Sequence, residues 1–494
     1  MKNSAKTTNK GLVIKVVSAA PKLFIITSIM AILHGISWGV VTVCQQKFFD
    51  KVSLLTIKAS TLLDVLLMFV ILASAYILCQ VFNGAGNYVL EMMTKKMDGV
   101  LSYELHQKIA KLSAIDFEYT NRLDTINKAE EGKKGAVQLV STLQGLFCFY
   151  LPYFIFMGYY LFTLKPILLL TLLLIFIPTM LTQIIRSKIF SKIETKSASQ
   201  RRKVEYYESC IINKRYYKET RLLGAFYFFK KKFLEAQNYL LHMQYTASVK
   251  TNLIDLGMKI VTMLGYITIL CILLDAALKS QLSIGAFIAI FSSLTEMYAF
   301  MEEIVSFHFG EVTKNIGKVK NYSSFASENG RHDLKSINLQ YNKITLSNVS
   351  FSYPNTDKIV LEDINLEIRK GETLAIVGEN GSGKTTLVKL IIGLYAPISG
   401  EILIDENKLS YISRESIFRR VSAVFQNFQR YNMTLKENIS ISQTTKESKV
   451  SILDSVCSKS GIEKEQWGLN KGYETMLGKE FGGVDLSGGQ WQRI

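Results

Sequence analysis

Gly378-Glu379-Asn380-Gly381-Ser382-Gly383-Lys384-Thr385 decides the reading of this chain, because it fits G-x-x-x-x-G-K-[ST] at every position. Before it, Thr373–Val377 reads as a short buried strand. After it, Thr386–Ile392 carries apolar residues at helical spacing. A glycine loop between a strand and a helix turns backbone N–H groups, and the positive end of the helix, toward a phosphate chain. The glycines permit positive φ and close approach. Lys384 is placed for β- and γ-phosphates and Thr385 for a Mg²⁺ ion, with Glu379, Asn380, Ser382 and Thr386 completing the cradle. A chance glycine turn would lack the two flanks. The stretch implies a site for a nucleoside triphosphate.

Working outward, the chain has 494 residues, 48% of them hydrophobic, and a net charge of +17. Mean hydropathy is +0.18. Such a length accommodates two to four domains. Residues 340–494 hold 19 Lys/Arg against 18 Asp/Glu, so sixteen of the seventeen net positive charges precede them, among the apolar segments. That distribution fits the positive-inside rule and argues against a nucleic-acid partner. The six cysteines (Cys44, Cys79, Cys148, Cys210, Cys271, Cys457) include no CxxC pair and read as small apolar fillers. The five histidines show no ligand spacing.

Residues 1–22 carry five lysines and no acid, and read as a cytoplasmic basic tail. Leu23–Gln45 is longer than the apolar core of a signal peptide and has the length a bilayer requires. It is the first of six expected spans, followed by Leu62–Phe82, Val137–Leu164, Ile167–Ile185, Leu253–Ala276 and Ile284–Phe307. Only Lys165-Pro166 separates the third from the fourth. Six spans place both termini on one side, giving a transmembrane unit over residues 23–309 in contact with lipid.

The long connections 83–136 and 186–252 keep helical periodicity, so helices 2 to 5 are expected to continue past the membrane as two antiparallel pairs. The second connection is strongly basic, from Arg186 to Lys232, which places it in the cytoplasm. Ionisable residues near the spans are His34, Asp64, Asp275, Glu296, Glu302 and Glu303. Such groups are costly in a bilayer and mark candidate function. Asp64, Asp275 and the Glu302-Glu303 pair stand near span ends, where water solvates them. Glu296 is the central one, open to two readings: it faces a substrate cavity, or it hydrogen-bonds between helices. The aromatics from Phe147 to Phe156 read as packing. Residues 310–340 lose the apolar run and read as a linker into a soluble domain over 341–494.

In that domain Ile344–Ser352 and Ile359–Ile368 alternate like strands about the turn Pro354–Asp357. Gly400–Asp405 and Ser422–Gln426 read as further strands, and 434–480 as a polar helical region. The sequence closes on Leu486-Ser487-Gly488-Gly489-Gln490-Trp491-Gln492-Arg493-Ile494, a Ser-Gly-Gly turn opening a helix.

The loop at 378–385, followed about a hundred residues later by Leu486–Gln490, resembles the ATP-binding cassette of ABC transporters. With six spans in front, the chain resembles an exporter-type half-transporter. The resemblance implies a membrane all-α six-helix domain followed by an α/β P-loop NTPase domain with a helical subdomain. Tyr353 falls where the family stacks an aromatic on adenine. Gln426 falls at the Q-loop position, where the family touches Mg²⁺ and relays to the membrane domain. Ser487, Gly488, Gly489 and Gln490 match the signature that caps ATP held by a second half-transporter subunit. Thr475–Gly478 with Gly482-Gly483 resembles the exporter segment that contacts the opposing cytoplasmic loop. Asp116–Tyr119 and Lys218–Gly224 resemble coupling segments, the latter as in bacterial peptide and lantibiotic exporters.

The same resemblance implies ATP-driven export across a bacterial plasma membrane by a dimer, with ATP and Mg²⁺ as cofactors. Two further readings stay open. One is an ATP-binding but non-hydrolysing membrane partner, the other a lipid or drug exporter of the same architecture. The family's Walker-B aspartate, catalytic glutamate and switch histidine would stand beyond Ile494, so the sequence is expected to be part of a longer transporter. Ile402–Glu406 imitates the Walker-B pattern but precedes the signature, and reads as a decoy.

Overall fold

A computed structural model describes residues 11, 13–328, 341–443 and 449–494. The chain divides into two units, Met1–Arg331 and His332–Ile494. In the first, the apolar runs and the charged periodic stretches beyond them fuse into very long helices. These are α1 (Pro21–Thr56), α2 (Leu62–Ala110), α3 (Thr120–Leu164), α4 (Pro166–Ile212), the short α5 (Lys214–Leu222), α6 (Phe226–Leu278), α7 (Ile284–Glu303) and α8 (Phe309–Ser327). At 1.5 Å per residue the 49 residues of α2 extend about 74 Å, more than twice a bilayer's hydrocarbon core.

Among the described residues five helices are long and apolar enough to cross a membrane: α1, α2, α3, α6 and α7. The fourth expected span, Ile167–Ile185, begins α4, but the side chains of residues 171–176, 179 and 183 lie outside the described residues. Lys165 is extended and Pro166 opens α4, as a residue with no N–H can at a helix start. The spans turn apolar faces outward, Leu63 being 76% and Ile77 65% exposed. Asp64 lies at the start of α2, where its carboxylate accepts from the Thr61 N–H and hydroxyl in a capping box.

Glycines set the closest helix contacts. On α1, a Cβ at Gly35 would overlap the Phe149 carbonyl and one at Gly39 the Phe156 ring, so α1 and α3 touch backbone to neighbour. Two π turns interrupt the helices, at Leu146–Tyr150 within α3 and at Ile304–His308 between α7 and α8. Pro152, just past the first, cannot donate the regular helical bond, and a wide turn absorbs such a defect.

Past the apolar stretch the pairing differs from expectation in part. The α4–α6 pair forms, with Val204 of α4 and Ala236 and Leu240 of α6 in a small core. Helix α3, however, lies chiefly against α8 and less against α2. Residues 309–327, read as the start of a linker, are therefore helical. Val319, Tyr322 and Phe325 recur at helical spacing and bury against Met97, Leu101 and Ala129. Gly132 makes the approach possible, since a Cβ there would overlap the Lys318 carbonyl. The rest of the expected linker, 329–340, lies outside the described residues. The basic tail is likewise not free along its length: Val16 and Ala20 bury in the same cluster, and Lys15 pairs with Glu104.

The second unit holds an antiparallel sheet in the order β2-β1-β3-β4, from β1 (Lys343–Ser352), β2 (Ile359–Arg369), β3 (Ser399–Ile404) and β4 (Asn407–Lys408). Leu346 stands opposite Leu366 on one side and Ile402 on the other. Its helices are α9 (Lys384–Ile391), α10 (Arg414–Phe418), α11 (Leu435–Ser440), α12 (Val450–Ser460) and α13 (Gly488–Arg493). The decoy Asp405 sits in the β3–β4 turn at φ +52°, its carboxylate accepting from the Asn342 and Lys343 N–H groups.

Two strand expectations are corrected. Neither Thr373–Val377 nor Ser422–Gln426 is a strand, and Val377 is 90% exposed. A β-branched apolar run becomes a strand only beside a hydrogen-bonding neighbour, and no strand among the described residues pairs with either segment. Among the described residues of 434–480 the helices α11 and α12 are short, and the bridges Thr434↔Met476 and Leu477↔Val484 hold the loops near them.

Candidate nucleotide-binding site

Gly383 caps the N-terminus of α9 at φ +90°, a conformation in which a side chain is strained. A Cβ there would also lie 2.8 Å from Leu361 Cδ2, so the loop packs directly on β2. Leu387 N–H is the first to bond back, to the Gly383 carbonyl. The N–H groups of Lys384, Thr385 and Thr386 therefore have no acceptor earlier in the helix, which is the arrangement that attracts an anion. With glycine, serine and threonine around them, these donors fit a phosphate chain.

Lys384 folds over the loop: its ammonium donates to the carbonyls of Gly378 at 2.8 Å and Glu379 at 2.7 Å. The Ser382 N–H closes on the Glu379 carbonyl at 3.2 Å, with Gly381 at φ +87° inside that turn. Asn380, Ser382 and Thr385 are exposed, while Thr386 is buried and lies 2.9 Å from the Tyr353 hydroxyl. The end of β1 and the start of α9 thus meet through one hydrogen bond.

Three residues that the motif does not mention support Tyr353. Its ring stands edge-on to Phe351 and Tyr395, the latter two being stacked with centroids 5.5 Å apart. Lys389 lies over the Tyr395 ring at 4.8 Å and donates to its hydroxyl. No spacing in the sequence marks Tyr395; its position two residues past a glycine turn is a packing outcome.

Gln426 is exposed in an irregular stretch and makes no hydrogen bond to the loop among the described residues. In the signature segment Ser487 caps α13: its hydroxyl accepts from the Gln490 N–H, and Gln490 Oε1 accepts from the Ser487 N–H at 2.8 Å. Gly488 and Gly489 are exposed, while Leu486 and Trp491 on either side bury against Leu435, Leu469 and Leu477. The segment is thus an exposed polar tip held by two apolar anchors. Arg493 adds a hydrogen bond to the Gly461 carbonyl at the end of α12.

Residues 361–494, which hold the loop and the signature, match the family described as ABC transporter. The chain carries an ABC transporter domain. Such a domain binds ATP, and here it follows a helical unit with several apolar helices. The chain is 29% identical over 312 residues to the subtilin transport ATP-binding protein SpaT of Bacillus subtilis, covering 61% of this chain and 50% of that protein. To the nisin transport ATP-binding protein NisT of Lactococcus lactis it is 28% identical, covering 61% and 51%. To the ATP-dependent lipid A-core flippase of Chromobacterium violaceum it is 31% identical, covering 45% and 38%. The chain spans about half the length of the first two relatives. The 312 aligned residues exceed the ABC transporter domain, so that likeness continues into the helical unit.

Proposed function

We propose that this chain supplies one half of an ATP-driven exporter, and that Gly378–Thr386 holds the triphosphate. The observation that carries the proposal is the phosphate loop closed on α9 inside an ABC transporter domain, in one chain with long apolar helices. In this reading the α9 N–H groups and the Lys384 ammonium take the β- and γ-phosphates. Thr385 and Gln426 hold Mg²⁺, which would neutralise charge on those phosphates. Tyr353 offers its ring to adenine. The exposed Ser487, Gly488 and Gly489, with Gln490 behind them, close over ATP bound to a second half-transporter subunit. ATP then favours a closed pair of domains over an open one, and that difference in affinity is what moves the membrane helices. The helices sit in the plasma membrane of a bacterium, with the ABC transporter domain in the cytoplasm.

For the cargo, the reading is a peptide. The subtilin and nisin transporters align over 61% of this chain, well into the helical unit, whereas the flippase aligns over 45%. The test is made on protein in lipid nanodiscs with a fluorescent ATP analogue and with ATP turnover. Lys384→Ala is expected to weaken binding at least about tenfold, the equivalent of one lost charge-assisted contact, and to reduce turnover to background. Unchanged binding and turnover in that variant reject the assignment. Stimulation of turnover by peptide in proteoliposomes tests the cargo.

A further inference from the structure

The helical unit contains a cavity of about 490 Å³ between α1, α2, α3 and the α7 end, a size that holds a small organic ligand. The two π turns meet at it: Tyr150 of one and His308 of the other face each other, hydroxyl to Nε2 at 3.1 Å. Irregular turns of this kind cost helix hydrogen bonding and recur at functional positions. Phe300 forms one aromatic wall with Trp38, Phe149 and Tyr150, at ring separations of 5.3 to 6.0 Å.

The charge of the cavity is one-sided. Glu303 lines it, exposed and beside the Tyr150 hydroxyl, whereas among the described residues no lysine or arginine lines it. His34 leaves that charge uncompensated by geometry. The indole N–H of Trp38, which can only donate, points at His34 Nε2 from 3.1 Å, so that nitrogen carries no proton. His308 Nδ1 is buried with no partner.

A second orphan stands in the same wall. Gln144 is 6% exposed, and its Nε2 is fixed by donating to the Phe24 carbonyl and to the hydroxyls of Thr27 and Ser28. Its Oε1 is left buried without a donor, a cost that native structures normally avoid. Glu296, the central acid of the span, does not line this cavity; Glu303, two turns further on, does.

We infer that this cavity binds a monovalent organic ammonium carried on an apolar or aromatic body. The carboxylate supplies the counter-charge and the ring faces of the wall attract a cation. The inference rests on the export reading in naming the cargo's chemistry, and binding measured without nucleotide separates the two.

The probe is 4-phenylbutylammonium, with 4-phenylbutanol as the neutral counterpart, titrated calorimetrically into the chain in nanodiscs and corrected by empty nanodiscs. Saturable binding of the ammonium is expected, with the alcohol at least about tenfold weaker. Glu303→Gln is expected to weaken the ammonium about tenfold and leave the alcohol unchanged, while Glu303→Asp retains the preference. Equal affinity for the two probes, no binding of either, or an unaltered ammonium affinity in E303Q overturns the assignment. Loss of ATP-analogue binding with intact ammonium binding overturns the export reading alone.

Discussion

At Gly383 the backbone stands at φ +90° with Leu361 and Val360 against the place a side chain would take. Alanine there meets both the strained conformation and the strand, a cost of about 1–3 kcal/mol. Gly383→Ala is therefore expected to lower the melting temperature of the ABC transporter domain and to weaken binding of a fluorescent ATP analogue. A normal melting curve with normal binding would contradict the packing described. The motif made Gly378–Thr385 readable because each residue type answers a local demand of the loop: φ, close approach or charge. The support of Tyr353 was not readable. Tyr395 reaches it through the turn after α9 from about forty residues along the chain, with Phe351 beside it on the sheet and Lys389 over the Tyr395 ring. Glu303 illustrates the same limit. It sits beside Glu302 in sequence, yet Glu302 faces Lys259 while Glu303 lines the cavity, a division set by a helix face and not by composition.

Helices were legible where the apolar period persisted, as in α1, α2 and α6. Partners were harder to read, because a polar periodic stretch does not name the surface it buries against. Helix α8 is the clearest instance: its composition resembles a linker, and only the stripe Val319, Tyr322, Phe325 together with Gly132 of α3 explains it. Tyr322 is 1% exposed, and burial, with the Glu104 charge second, pushes its hydroxyl up to about 12. An unfolded tyrosine ionises near pH 10, so the neutral hydroxyl favours the folded state fully below that pH. The contribution is lost as pH rises toward about 12. Between these limits the melting temperature of the native chain is expected to fall more steeply than that of Tyr322→Phe, which has nothing to ionise. Parallel slopes in a thermal denaturation series would show that Tyr322 does not carry the effect. Strands failed in the opposite way. Thr373–Val377 has the right composition, but pairing is a property of two segments, and one alone does not predict it.

The whole chain presents two kinds of surface. In the helical unit, Leu66, Leu67, Val70 and Ile77 of α2 and Leu253, Leu256, Ile260 and Met263 of α6 are exposed, apolar faces suited to lipid or detergent. The protein is expected to stay in the membrane pellet after washes at high salt and at alkaline pH, and to enter solution with detergent. Release by salt alone would count against the spans. The gathering of apolar residues ahead of the second unit was legible in the sequence; the burial of Val16 and Ala20 was not. Val16 and Ala20 share one cluster with Val319, Tyr322 and Phe325, so the beginning of the helical unit closes on its end. Chains emerge at about 5–20 residues per second, which puts roughly 15 to 60 seconds between the synthesis of Val16 and that of Phe325. During that interval the first apolar turn lacks part of its final cover, while helices made after it are already threading into lipid. The cluster that joins these residues is thus completed only after α8 has been made.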